Sequence, residues 1–397
     1  MSKSICLFFE LNQPVRLRSY KFFDIGKDSH YYDPFASRTE VRKMVQRCYL
    51  PANAILLDAI RRSNGAVKVA FSMPGTAIEQ LERYAPDVMD SFRELAQTGC
   101  VEFLCETYFH SISSLISEQE FRHQVEKHRE CVASVFGQTP QCFRNTDFIY
   151  SNHIGKMVYD MGFNTVLAEG GKHVMGWQSP NWLYRNPVEK GQTLLLRNYS
   201  LSDDISLRFS DRSWNEWPLS AEKYVSWIEQ AEGDIVNLFM DYETLGHFNP
   251  AESGILEFFK SFLARVVENE NLEFTTPSEA VRNFKPVAEI SIAEPESWLN
   301  EERDISDWLG NDLQTEASNK LYSLIENLSV LGRDDLWSDF GALQDADLLY
   351  YMSSRFFKKE ARMRWNSPYE TPYDAFINYM NVLSDLIIRV NNAMNER

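Results

Sequence analysis

Over the first 280 residues or so, short apolar runs alternate with longer segments whose apolar positions recur every three to four residues. The runs are 5–9, 67–71, 101–105, 142–145, 165–168 and 235–240. They are nearly continuous in apolar residues rather than alternating, which is what a strand covered on both faces requires. Between them, residues 39–62, 85–97, 118–136, 152–161, 221–232 and 252–268 carry helical periodicity. Strand then helix, repeated six or seven times, predicts a parallel sheet, either open and doubly wound or closed into a barrel.

The texture changes after Pro286. No strand-like run occurs from 295 to 397; the segments 301–308, 315–330, 345–357 and 372–395 all read as helical. The expected organisation is therefore an α/β domain over 1–285, followed by a helical region over 286–397 packed on it.

Composition narrows the function classes. The chain has 397 residues with 40 Lys and Arg against 57 Asp and Glu, a formal charge of −17. Such a surface repels phosphate backbones, and no basic run offsets it, so no nucleic-acid partner is expected. No stretch approaches the roughly 20 apolar residues of a membrane span, so no membrane partner is expected either. The start, MSKSICLFFELNQP, reads as a strand broken by Glu10 rather than as a secretory signal, which predicts a cytoplasmic location. Cys6, Cys48, Cys100, Cys105, Cys131 and Cys142 lie in apolar segments without a CxxC pair, as reduced thiols do.

In a parallel barrel the reacting groups stand at the C-terminal ends of strands and in the loops that follow. Those positions hold Glu10, Asn12 and Gln13; Ser72; Glu106 and His110; Arg144, Asn145 and Asp147; Glu169 and Lys172; and Asp241, Glu243 and His247. Trp177, Trp182, Trp214 and Trp217 lie in the intervening loops. Carboxylates, amides and indoles together suit sugars, whose hydroxyl pairs take bidentate hydrogen bonds and whose flat faces stack. Two strand-end carboxylates can also cleave a glycosidic bond, and Asp147 with Asp241 is the natural pair. His spacing for a metal site, a GxxxxGK phosphate loop and a GxSxG nucleophile turn are all missing, so no metal or cofactor is expected.

Four segments in order, LNQPVR, TGCVEFLCETYFHS, CFRNTDFIYSN and FMDYETLGHF, resemble the sequence regions of glycoside hydrolase family 57, in its α-amylase and α-amylase-like branch. SWLNEERDISDWLGN and YETPYDAFINYMNVLSD extend the resemblance almost to the end. It implies an incomplete parallel (β/α)7 barrel with a C-terminal helical part. It also implies α-glucan or maltooligosaccharide substrates and a retaining mechanism on α-1,4 bonds without metal or cofactor. By position, Asp241 matches the general acid/base and Asp147 the nucleophile, where the family uses Glu. Asn12 stands where a His is usual, beside Gln13; Glu102 and His110 match the second motif; Trp217 and Glu243 match groups lining the cleft. After DYET the usual Phe-Gly-Glu-His reads Leu245-Gly246-His247-Phe248.

These departures leave two expectations. One is an α-glucan hydrolase or transferase slowed by Asp147, whose side chain is one methylene short. The other is an α-amylase-like protein that binds glucan without turnover. Oligomeric state is not legible in the sequence.

Overall fold

The computed structural model describes residues 2–355 and 367–397. Its strands are β1 (Lys3–Glu10), β2 (Val69–Ser72), β3 (Val101–Phe103), β4 (Cys142–Arg144), β5 (Thr165–Glu169), β6 (Leu183–Arg185), β7 (Thr193–Arg197), β8 (Ile235–Asp241), β9 (Leu245–Gly246), β10 (Asn249–Pro250), β11 (Leu272–Thr275) and β12 (Ala288–Glu289). β8 pairs in parallel with β1 from Ser4↔Ile235 to Glu10↔Asp241. β1 pairs with β2, β2 with β3, β4 with β5 and β5 with β7, all in parallel. The bridge Cys105↔Phe143 carries the wall from β3 to β4. Hydrogen bonds from Asn198 N to the Asn237 carbonyl (2.9 Å) and from Asn237 Nδ2 to the Leu196 carbonyl (2.9 Å) tie β7 to β8. Seven parallel strands thus curl round a common lumen, as the resemblance implied.

The continuous apolar runs follow from burial on both faces. In β1, Cys6 and Phe8 point into the lumen, while Ile5, Leu7 and Phe9 pack outward against helices. Leu167 and Leu195 repeat the inward role in β5 and β7, with Val166, Ala168, Leu194 and Leu196 outward. All six sequence runs are strands. The seventh wall strand, β7, escaped the sequence reading because its apolar core is only Leu194–Leu196, set between Thr193 and Arg197.

The expected helix over 39–62 is two helices, Pro34–Met44 and Leu50–Arg62, joined by a π turn at Val45–Tyr49. Pro51 has no N–H to give the fourth carbonyl back and its ring crowds that carbonyl, so the ladder widens there. The helix Glu118–Phe136 runs between a Ser117 cap and left-handed Gly137, as its sequence signals predict.

The helical region includes Ser306–Leu309, Asp312–Tyr322, Ile325–Leu331, Asp334–Ala342, Ala346–Tyr350 and Pro372–Asn395. The end of the expected 345–357 helix lies outside the described residues. One apolar cluster unites Phe143, Val166, Leu194 and Leu196 of the wall with Trp308, Leu321, Phe340, Leu349, Leu383 and Leu386 of this region. The helices therefore share a core with β4, β5 and β7.

Candidate active site

On the inward-facing side, six of the wall strands end in a polar or charged residue, while Glu102 of β3 and Asn237 of β8 are polar positions lower down. Glu10, Ser72, Arg144, Glu169, Arg197 and Asp241 close β1, β2, β4, β5, β7 and β8. Below them the lumen is floored by Phe8, Phe148, Phe239 and Trp298, with Phe148 stacked on Phe239 at 5.6 Å and Phe148 to Trp298 at 4.9 Å. Charges set on such a floor interact strongly, because little water screens them.

Asp147 follows β4 in a short turn, Thr146–Phe148, where Asp147 and Phe148 both adopt left-handed φ (+49° and +54°). Asp tolerates that region better than most residues. Its Oδ2 lies 3.5 Å from His110 Nε2, and its Oδ1 accepts a 3.1 Å hydrogen bond from Trp298 Nε1. His110 Nδ1 is in turn 3.7 Å from Glu106 Oε2. Arg144, fully buried, places Nη2 2.5 Å from Glu10 Oε2 and Nη1 3.4 Å from Glu106 Oε2. Ser72 Oγ donates to the other oxygen of Glu106.

Two cations therefore serve three carboxylates. Burial pulls His110 towards neutrality, but the flanking carboxylates of Asp147 and Glu106 outweigh it and push the imidazole well above its ordinary range. Burial would raise Asp147, yet His110, Trp298 and Arg144 together keep its carboxyl below the usual value. Glu106 is held down in the same way, by Arg144 and His110 against burial. Glu10 goes up: burial, Asp147 and Asp241 outweigh Arg144 and His110. These neighbours hold Asp147 and Glu106 towards the ionised form and draw Glu10 towards the protonated one.

Asp241 ends β8 directly opposite Glu10 in the register and is half-buried. Its charge is felt by Glu10, Glu243 and Arg197. Asp147 and Asp241 thus approach the same group, Glu10, from different strands. Glu243, buried beside Asp241, accepts from Tyr49 Oη, which accepts from Gln13 Nε2 at 2.7 Å. Burial and then the Asp241 charge push Glu243 up to about 8, and its Oε2 is buried without a hydrogen-bond partner among the described residues. Asn12 Nδ2 donates to Asp347 Oδ2 at 3.3 Å.

The structure therefore brings together Asp147, His110, Asn12, Gln13, Asp241 and Glu243. It takes Glu102 elsewhere. Glu102 pairs with Ala70, one inward layer below Ser72, and its carboxylate accepts from Ser278 N (3.0 Å) and Ser278 Oγ. A strand position four residues before Glu106 cannot reach the same rim. Trp217 lies 42% exposed in the 207–220 loop, with the Arg212 guanidinium 5.7 Å from its ring.

Four participants were not singled out by the sequence: Trp298, Asp347, Arg197 and Tyr49. Arg197 donates to the Phe239 carbonyl at 2.8 Å and meets Asp203 at 2.6 Å. The run Leu194–Leu196 before it was the available signal. Asp347 comes from the region read as helical, where nothing local marks it; Trp298 lies in SWLNEERDISDWLGN, a segment of the resemblance, with nothing there to tie it to Asp147. Glu10, His110 and Asp147 present ligand-type atoms within 4.8 Å of one another. A bound cation there would face the guanidinium of Arg144, which already sits 2.5 Å from Glu10 Oε2, so this donor set does not fit a metal and none is assigned.

The pH response of Glu243 gives one expected result. Between the ordinary value of 4.5 and about 8, the native state holds a proton that the unfolded chain has released. Stability therefore falls with rising pH across that window and levels off above it. In Glu243→Gln this contribution is absent. Urea midpoints taken at about pH 5 and about pH 9 should fall further in the parent than in the variant; equal falls would sink the assignment.

The chain matches the family described as Glycosyl hydrolase family 57 over residues 6–293. It is 37% identical to a Methanocaldococcus jannaschii protein named "Putative alpha-amylase", over 95% of this chain and 82% of that one. Among solved structures, a branching enzyme from Thermococcus kodakaraensis superposes with TM-score 0.69 at 13% identity, covering 89% of this chain and 86% of that one. The 4-alpha-glucanotransferase from Thermococcus litoralis superposes with TM-score 0.64 at 15% identity, covering 88% of this chain; the chain spans only 56% of that structure.

Proposed function

Starting from the fact that this chain belongs to glycosyl hydrolase family 57, we propose that it cleaves or transfers α-1,4-glucosidic bonds by a retaining, two-carboxylate mechanism. The observation that carries the reading is the pairing of an ionised, doubly anchored Asp147 with Asp241 across Glu10 at one barrel mouth. Asp147 attacks the anomeric carbon while Asp241, which takes up a proton in the substrate complex, gives it to the departing glycosidic oxygen. Asp241 then takes a proton from water, or from a sugar hydroxyl, as that oxygen displaces Asp147. Water gives hydrolysis and sugar gives transfer. Glu243, with its carboxyl pushed up to about 8, stands buried beside Asp241 and holds Tyr49 and Gln13 behind the acid/base. Asn12 replaces a potentially charged ring with an amide, already engaged by Asp347.

The test is turnover of glycogen, amylose and maltoheptaose at high protein concentration, with Asp241→Asn as the blank. Activity lost in the blank, with retained product anomer, supports the reading. Glucan binding without turnover would replace it with the binding protein.

Asp147→Glu measures the short side chain directly. The extra methylene advances the attacking oxygen by about 1 Å, and misplacement on that scale is worth on the order of a hundredfold. The left-handed backbone at 147 suits Glu less well than Asp, at roughly 1 kcal/mol of stability. The expected result is a faster enzyme with a lower melting temperature. A folded variant with no gain in kcat would remove the geometric explanation.

A further inference from the structure

We propose that Trp298 is a positioning residue for Asp147: its indole N–H fixes one carboxylate oxygen and leaves the other, beside His110, as the oxygen presented to the sugar. The inference rests on the reading of Asp147 as nucleophile.

The contact is double. Trp298 Nε1 donates to Asp147 Oδ1 at 3.1 Å, and Trp298 N approaches the Asp147 carbonyl at 3.4 Å. Trp298 is itself held on every side. Its carbonyl accepts from Arg303 Nη1 at 2.5 Å, its ring lies 5.2 Å from the Arg197 guanidinium, and its other neighbour is the Phe148 ring. Arg303 also meets Glu169 at 3.4 Å, so the strap carrying Trp298 is tied to the end of β5. The antiparallel bridge Tyr150↔Glu296 pins the strap two residues upstream. The donor is therefore set before any substrate arrives, which is what preorganisation requires.

The plane of an Asp carboxylate turns in a broad, two-fold torsional well, so without an anchor its oxygens sweep. A short nucleophile has little reach to spare. With Oδ1 engaged by Trp298, the plane is defined and Oδ2 keeps one orientation. The charged and titratable groups facing Asp147 are Glu10 on β1, His110 after β3, Arg144 on β4, Asp307, and Asp347 with Tyr350 on the helix Ala346–Tyr350. All of them stay in place when only the indole N–H is removed.

Two variants remove it. Trp298→Phe keeps an aromatic ring; replacement of Trp298 by 3-benzothienylalanine keeps the bicyclic shape and loses only the N–H, so packing is preserved even if the Phe variant fails to fold. In protein labelled at the Asp carboxyl carbon, the Asp147 signal, assigned by its loss in Asp147→Asn, is titrated by NMR. One lost hydrogen bond to a carboxylate should move its midpoint upward by about one pH unit, a roughly tenfold effect. In turnover, kcat should fall on the order of tenfold with KM unchanged, and the acidic limb of the profile should move up with the NMR midpoint. An unmoved midpoint in the folded benzothienyl variant overturns the inference, as does a fall in kcat with a fixed acidic limb. Should the parent lack turnover, the nucleophile reading fails, while the titration still decides whether Trp298 holds Asp147.

Discussion

Asp147→Asn should lower α-glucan turnover by about 10⁴-fold, with binding of maltooligosaccharide left within a few-fold of the parent. The substitution is conservative in every respect but charge. Asn occupies left-handed backbone at least as readily as Asp, so the turn at 147–148 keeps its shape. The amide oxygen still accepts from Trp298. What disappears is the anion that attacks carbon, and with it one of the two carboxylates that keep His110 charged. A second expected consequence is therefore a fall in the His110 midpoint, readable by NMR in the same sample. Turnover within tenfold of the parent would mean that Asp147 is not the nucleophile.

Arg144→Met is expected to be the most damaging substitution for stability, by about 3–5 kcal/mol near neutral pH. Met matches the length of the aliphatic part and can lie against Phe8 and Phe148, whose rings the guanidinium now faces at 5.9 and 5.5 Å. It cannot answer Glu10 and Glu106, which are buried and lose their shared cation. Glu106 must then take up a proton, and Glu10, already drawn towards its protonated form, is drawn further, so the folded-state titration of both rises. Their contribution is present in acid and lost as pH increases, which makes the deficit smaller near pH 5 than near pH 8. Urea unfolding at the two pH values checks the sign. A deficit that grows in acid would contradict the ion cluster as drawn.

The legible part of the molecule was the part with local periodicity. The strands ending at Glu10 and Asp241 announce themselves because both faces are buried and nearly every position before the rim is apolar. The strand ending at Arg197 shows only three consecutive Leu, too short to stand out from a buried turn. The rim residues Asp147, His110, Asn12, Gln13, Asp241 and Glu243 could be named because each follows such a run within a few positions. Glu102 was named from the motif match alone, which says nothing of depth along the strand, and it lies a layer below the rim. Asp347 had no local signal, and Trp298 had only its place in SWLNEERDISDWLGN, which says nothing of Asp147. Trp298 meets Asp147 from 151 residues away, and Asp347 meets Asn12 from 335 residues away. Contacts of that separation are decided by how the helical region packs, which no window of sequence contains.

That packing has a consequence for building hybrids. The helical region supplies about half of the apolar cluster behind β4, β5 and β7, and two side chains that touch the candidate site, Trp298 from the floor and Asp347 at Asn12. A chimera joined near residue 285 would exchange core and reaction centre in one step. The practical unit of recombination in this architecture is the whole chain, and libraries that shuffle barrels against tails should yield insoluble or silent products unless Trp298, Asp347 and their packing partners travel with the barrel.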